Sequence, residues 1–207
     1  MLKHIAIGGG LAFAAAVQPG PLQAYLLSRV AAIGWRRTLP ASLAPLLSDG
    51  PIALLALLIL GRLSPVAQAV LRTAGGVLLL YLAQRAFRNW RANGPDSQEK
   101  REKAPRTLLE ATLVNILNPN PYLGWSLVLG PVVVAAWRES PGEGVAVVVA
   151  FYATMVTMLA ASIFAFGSAR LLGRKLQRIL LLVSALILAS LGVYQLVMGV
   201  QSLNTGR

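Results

Sequence analysis

Long apolar runs separated by short basic gaps organise the chain. Charge-free stretches cover residues 5–28, 111–137, 145–169 and 179–206, and residues 38–61 form another, interrupted only by Asp49. Each exceeds the roughly 20 residues an α-helix needs to cross about 30 Å of hydrocarbon. A sixth candidate, residues 65–87, is weaker. Arg72 and Arg85 flank its shorter apolar centre, where Gly75-Gly76 precedes the run from Val77 to Leu82. The pattern predicts an all-α membrane protein. Its six transmembrane helices cover about residues 5–28, 38–61, 65–87, 108–137, 144–169 and 179–203. Residues 1–207 then form one integral membrane domain.

Composition sharpens this picture by exclusion. Of the 207 residues, 56% are hydrophobic and 13% charged, against about 25% charged in soluble domains. With mean hydropathy at +0.65, a water-soluble globule would expose far too much apolar surface. A soluble enzyme and a soluble DNA-binding module are thereby disfavoured. The net charge of +12 does not point to nucleic acid, because the basic residues sit in the gaps between apolar runs. The lack of cysteine excludes a disulfide scaffold, a Cys-ligated metal and thiol–disulfide chemistry.

The same basic residues set an orientation. Arg29, Arg36 and Arg37 occupy the first connection. Arg85, Arg88, Arg91, Lys100, Arg101, Lys103 and Arg106 fall in or beside the third, and Arg170, Arg174, Lys175 and Arg178 in the fifth. These fourteen lie on one side, against Lys3, Arg62, Arg72, Arg138 and Arg207 on the other. Such a bias places the fourteen inside. Residues 88–106 become a solvated cytoplasmic loop, and both termini face outward. A cleaved signal peptide at Ala14-Ala15-Ala16 is disfavoured, since the apolar run continues to Ser28 and five further spans follow.

A motif repeats between the halves. The first span contains Gln18-Pro19-Gly20-Pro21, and the fourth contains Asn118-Pro119-Asn120-Pro121-Tyr122. Proline removes a backbone donor and clashes with the carbonyl four residues back, and it pushes the preceding residue out of helical geometry. Broken backbone at membrane depth is tolerated only against protein or a wet cavity. Breaks at corresponding positions of two halves point to a transport site near the midplane. The competing reading is that the prolines merely kink two helices for packing. Three spans separate the copies, and an odd number inverts the second, which predicts a 3+3 inverted repeat.

These residues resemble a known family. Pro19-Gly20-Pro21 resembles the Pro-Gly-Pro signature of the lysine exporter (LysE/RhtB) family. Asn118-Pro119 is similar to the start of its Asn-Pro-Lys-Ala motif, with Asn120-Pro121 standing here in place of Lys-Ala. The stretch from Ala74 to Leu82 is similar to the family's Gly-rich Tyr-Leu segment. The resemblance implies a secondary exporter of amino acids or related small polar solutes in the prokaryotic cytoplasmic (inner) membrane. No cofactor, metal or nucleic acid is expected. The expected partners are the lipid bilayer, the solute, a proton or other coupling ion, and a second copy in a homodimer.

Asp49 is the acid read as lying well inside a span. A central Asp costs about 2.5–3.5 kcal/mol on insertion scales and usually faces a cavity. It could hold a cationic group of the solute or carry a proton; alternatively, Ser48 or a neighbouring Asn or Gln satisfies a structural acid. Gly50-Pro51 suggests an open helix there too. Gln18, Tyr25, Asn115, Asn118, Asn120, Tyr122 and Thr154 could bond a polar solute or glue helices together. Tyr122 and Trp125 could equally be packing or interfacial residues. Trp35, Trp90 and Trp137 read as interfacial anchors, His4 as terminal and exposed, and Gly8-Gly9-Gly10 as a close-packing surface. The expected substrate-binding or coupling set is Asp49, Gln18, Pro19, Gly20, Pro21, Asn118, Pro119, Asn120, Pro121 and Tyr122. An intramembrane enzyme lacks its serine–base pair, acid dyad or thiol, so no catalytic residue is expected. A metal-ion or small-ion exporter, a channel, and a non-transporting scaffold remain as alternatives.

Overall fold

The computed structural model describes residues 1–18, 20–58, 65–91, 104–170 and 174–204. Pro19 and most of the expected cytoplasmic loop lie outside the described residues. All regular elements described are helical: α1 (Leu2–Val17), α2 (Pro21–Ile33), α3 (Trp35–Thr38), a 3₁₀ turn (Leu39–Leu43), α4 (Ala44–Leu58), α5 (Pro65–Arg91) and α6 (Ala104–Ile116). Then follow α7 (Pro119–Gly124), a π-helical turn (Trp125–Leu129), α8 (Gly130–Glu139), α9 (Pro141–Arg170) and α10 (Arg174–Asn204). Among the described residues, three stretches are long and apolar enough to cross a membrane: Trp35–Leu55, Pro141–Ser168 and Arg178–Ser202. A fourth arises if α1 and α2, bent by 63°, count as one span. The chain is an integral, multi-pass membrane protein.

Local chemistry explains where these helices stop. Pro21 opens α2 at a position where a missing N–H costs no helical bond. Gly34 ends α2 with φ at 85°, a conformation open to glycine without a Cβ penalty. Pro119 opens α7, and the Asn118 side chain caps it by accepting from the Asn120 amide at 3.2 Å. Gly50-Pro51 behaves otherwise than its sequence suggests. α4 runs unbroken through Pro51, although Pro51 has no N–H to offer the Leu47 carbonyl.

Small residues set the helix pairs. α1 lies along α9, and α5 along α10. A Cβ on Gly8 would run into the Val147 backbone carbonyl of α9, and one on Gly76 into the Gly192 carbonyl of α10. With lipid as apolar as leucine, such close approach is what holds membrane helices together. Apolar side chains such as Leu54, Val77, Phe164 and Leu186 point outward, as a hydrocarbon solvent requires. Inside, one cluster gathers Leu22, Leu26, Val114, Leu159 and Ile163, and a second gathers Ala12, Ile52, Tyr122, Trp125 and Phe151.

One reading of a single residue is corrected. His4 is buried, its Nδ1 lying 2.7 Å from Glu143 Oε2 and its Nε2 3.6 Å from Glu139. It links α1 to the turn between α8 and α9; nearness in sequence to a terminus said nothing of that packing. Trp35 is half-buried, packed on the first cluster and edge-on to Phe164 at 5.5 Å.

Candidate functional site

A cavity of about 310 Å³ opens where the α1–α2 and α6–α7 junctions meet α4 and α9. Its polar lining comes from Gln18 and Gln23 on one side, and from Asp49, Asn115, Asn118, Asn120 and Trp125 on the other. Leu11, Val128, Phe151, Met155 and Leu159 supply apolar wall. The volume sits at the low end of the roughly 300–1,000 Å³ usual for small-molecule sites. Asp49 is the one formally charged group among the described lining residues.

Asp49 is held by donors from three helices. Its Oδ1 accepts from Ser48 Oγ at 3.2 Å and from Asn115 Nδ2 at 3.0 Å, and its Oδ2 from the Tyr152 hydroxyl at 3.3 Å. Asn115 Nδ2 also reaches Ser48 Oγ at 2.6 Å. Asp49 and Asn115 are 5% and 7% exposed, so these bonds form where an unmade one would be costly. The indole N–H of Trp125 lies near Asp49 and Tyr152, yet has no hydrogen-bond partner of good geometry among the described residues. It is a buried donor on the cavity wall.

Most of the expected site residues converge here. Asp49, Gln18, Gly20, Asn118, Asn120 and Pro121 all line the cavity. Pro21, Pro119 and Tyr122 are buried behind it rather than lining it; the two prolines start their helices, and Tyr122 packs with Trp125 and Ile52. Tyr152 and Gln23 were missed, since neither stands out in an apolar run by charge or motif.

A second buried acid also escaped the sequence reading. Glu110 is 9% exposed. Its Oε1 accepts from Arg85 at 2.5 Å and Arg106 at 3.0 Å, and its Oε2 from the Tyr25 hydroxyl at 2.8 Å. Tyr25, entirely buried, also lies 3.2 Å from the Thr107 carbonyl. Tyr25 therefore ties α2 to α6 instead of facing the cavity. The hydrogen bond and negative charge of Glu110 raise the exposed Arg106 above its ordinary range.

Among the described residues no group of three His, Cys, Asp or Glu is placed to hold a metal ion. A family model described as LysE type translocator matches residues 13–199. No curated protein and no solved structure matches the chain.

Proposed function

The chain belongs to the LysE type translocator family, and from that premise we propose that it is a secondary exporter of amino acids or related small polar solutes, coupled to the proton gradient through Asp49. The observation that carries this reading is the cavity itself. Two helix junctions bearing Gln18 and Asn118–Asn120 meet a buried carboxylate in a space sized for a small solute. Its amides suit a solute with donors and acceptors of its own, and its single negative charge disfavours an anionic one.

The proposed architecture is six spans in a 3+3 inverted repeat, the first and fourth interrupted at their Pro-x-Pro motifs. The helix pairing supports it. α1 packs on α9, α4 packs on α6 and α7, and α5 packs on α10. An exchange of halves that swaps the first span with the fourth, the second with the fifth and the third with the sixth maps this set of contacts onto itself. The proposed orientation, both termini outside an inner membrane, rests on the distribution of basic residues. A homodimer remains part of the proposal.

Comparing metabolites in the medium of overexpressing and deletion cells identifies the solute: one solute class should be depleted inside and enriched outside. Asp49→Asn should then abolish gradient-driven export while insertion holds, since the amide keeps the volume and removes the costly charge. Wild-type flux and pH response per inserted molecule would refute a functional role for Asp49.

A further inference from the structure

We propose that Asn115 is a positioning residue that carries the protonation state of Asp49 to the junction between α6 and α7. The inference rests on the reading of Asp49 as the proton site, and adds the path by which its charge moves the cavity wall.

A continuous run of hydrogen bonds leads from the acid to the junction. Asn115 Nδ2 donates to Asp49 Oδ1 at 3.0 Å. The backbone carbonyl of Asn115 accepts from the Asn118 amide at 3.2 Å, closing the last turn of α6. The Asn118 side chain in turn accepts from the Asn120 amide at 3.2 Å, opening α7. Thus one residue binds the carboxylate with its side chain and the end of its helix with its backbone. Asn115, Asn118 and Asn120 all line the cavity.

The three donors around Asp49 respond differently to a proton. Ser48 and Tyr152 carry hydroxyls, which can turn from donor to acceptor when the acid gains an O–H. The Asn115 NH₂ can only donate, and both its hydrogens are engaged, one by Ser48 and one by Asp49. While Asp49 is ionised, flipping the amide would set its oxygen against the carboxylate. Protonation therefore strips the charge from a bond that is roughly twice as strong when the acceptor is ionised. The indole N–H of Trp125, also a donor only, makes no hydrogen bond of good geometry among the described residues.

The other ionisable side chains on the elements packed against α4 are few. Tyr152 of α9 donates to it, and Tyr122 of α7 sits in the apolar cluster with Ile52. On α6, Glu110 and Arg106 bond each other, while Arg138, Glu139 and Glu143 stand where α8 ends and α9 begins. Neither the 3₁₀ turn nor the π turn carries an ionisable side chain.

The chain has no cysteine, and a Cβ at Gly50 or Gly124 meets nothing within 4 Å. Gly50→Cys reports beside Asp49 on α4, and Gly124→Cys reports on α7. Each is labelled with bimane in the full-length protein, and its fluorescence is followed from mildly acid to mildly alkaline pH. Both labels should respond in the parent, and neither in the Asp49→Asn background. With Asn115→Ala, the response at position 50 should persist and that at position 124 should vanish. Asn115→Ser, a small polar replacement too short to bridge to Asp49, gives the same comparison should alanine not fold. Responses at both positions in the Asn115 variants overturn the proposal and leave the proton site standing. No response in the parent, or one that survives Asp49→Asn, overturns the proton site and the proposal with it.

Discussion

Glu110→Gln should destabilise the protein by about 2–4 kcal/mol, well beyond the usual effect of removing a membrane-edge charge. Oε1 of Glu110 holds two guanidinium groups, and Oε2 holds the Tyr25 hydroxyl. The amide oxygen has two lone pairs and can still accept from both arginines, its NH₂ can donate to the Tyr25 oxygen, and Tyr25 can keep the Thr107 carbonyl at 3.2 Å, so no hydrogen bond need be orphaned. What is lost is the negative charge beside Arg85, whose side chain is 12% exposed. Breaking a buried pair by neutralising one partner costs roughly 3–5 kcal/mol. Arg106 is 54% exposed, so its share is screened to about 1 kcal/mol or less. The margin of this cluster is wetter than a protein core, which brings the total down to the stated range. For a chain of 150–250 residues, about 2–4 °C of melting temperature follows each kcal/mol. The drop should therefore fall between about 5 and 15 °C, read by tryptophan fluorescence in detergent. Tyr25→Phe alone should cost about 1–2 kcal/mol. The double variant should cost less than the sum of the two, because both act on one carboxylate. A shift under about 2 °C for Glu110→Gln, with strict additivity in the double variant, would refute the idea that this cluster locks α2, α5 and α6 together.

Three further outcomes can be checked alongside it. Gly75→Ala should lower melting temperature and yield sharply, because its Cβ meets the Leu117 carbonyl, whereas Gly10→Ala, with open space around it, should be neutral or stabilising by up to about 1 kcal/mol. Replacing Pro119 and Pro121 together with Ala should lengthen α6 through the junction and reduce export with insertion intact; normal export would make these prolines packing kinks. Reporter fusions at Arg207 should read as outside and at Ser97 as inside; with Ser97 inside, an inside C-terminus would mean an even number of spans after the loop and would sink the 3+3 repeat.

How much of this was legible in the sequence depended on the kind of signal. Charge-free runs and paired prolines are local and periodic, so an all-helical membrane chain and the neighbourhood of Gln18 and Asn118–Asn120 could be read directly. Asp49 stood out as a charge in an apolar run, and its satisfaction by Ser48 and a neighbouring Asn was foreseen as one alternative. Tyr152 left no such mark: it lies 103 positions from Asp49, in an apolar helix where Thr154 drew the attention instead. Glu110 was hidden for the opposite reason. It sits among Arg106 and the basic loop, so it reads as part of a solvated end, and only packing shows that Tyr25 and Arg85 enclose it. His4 failed likewise, because exposure near a terminus is a default that Glu143 overrides.

The number of bonds on Asp49 bears on which role it takes. A carboxylate offers about four lone-pair sites, and Ser48, Asn115 and Tyr152 fill three of them. An ammonium group of a solute could claim at most the remaining one without displacing a protein donor. A proton differs, because two of the three donors are hydroxyls able to reverse. On the proposed reading this divides the labour within the cavity. Asp49 registers the proton while caged, and the solute is held by groups with unused capacity: the exposed amides of Gln18 and Asn120, and the unpartnered indole N–H of Trp125. Gln18 and Asn120 lie at the two helix junctions and Trp125 follows α7; a change in the bond from Asn115 would be felt first at the α6–α7 junction. Export would then need no direct contact between proton and solute, only a shared dependence on how α6 meets α7.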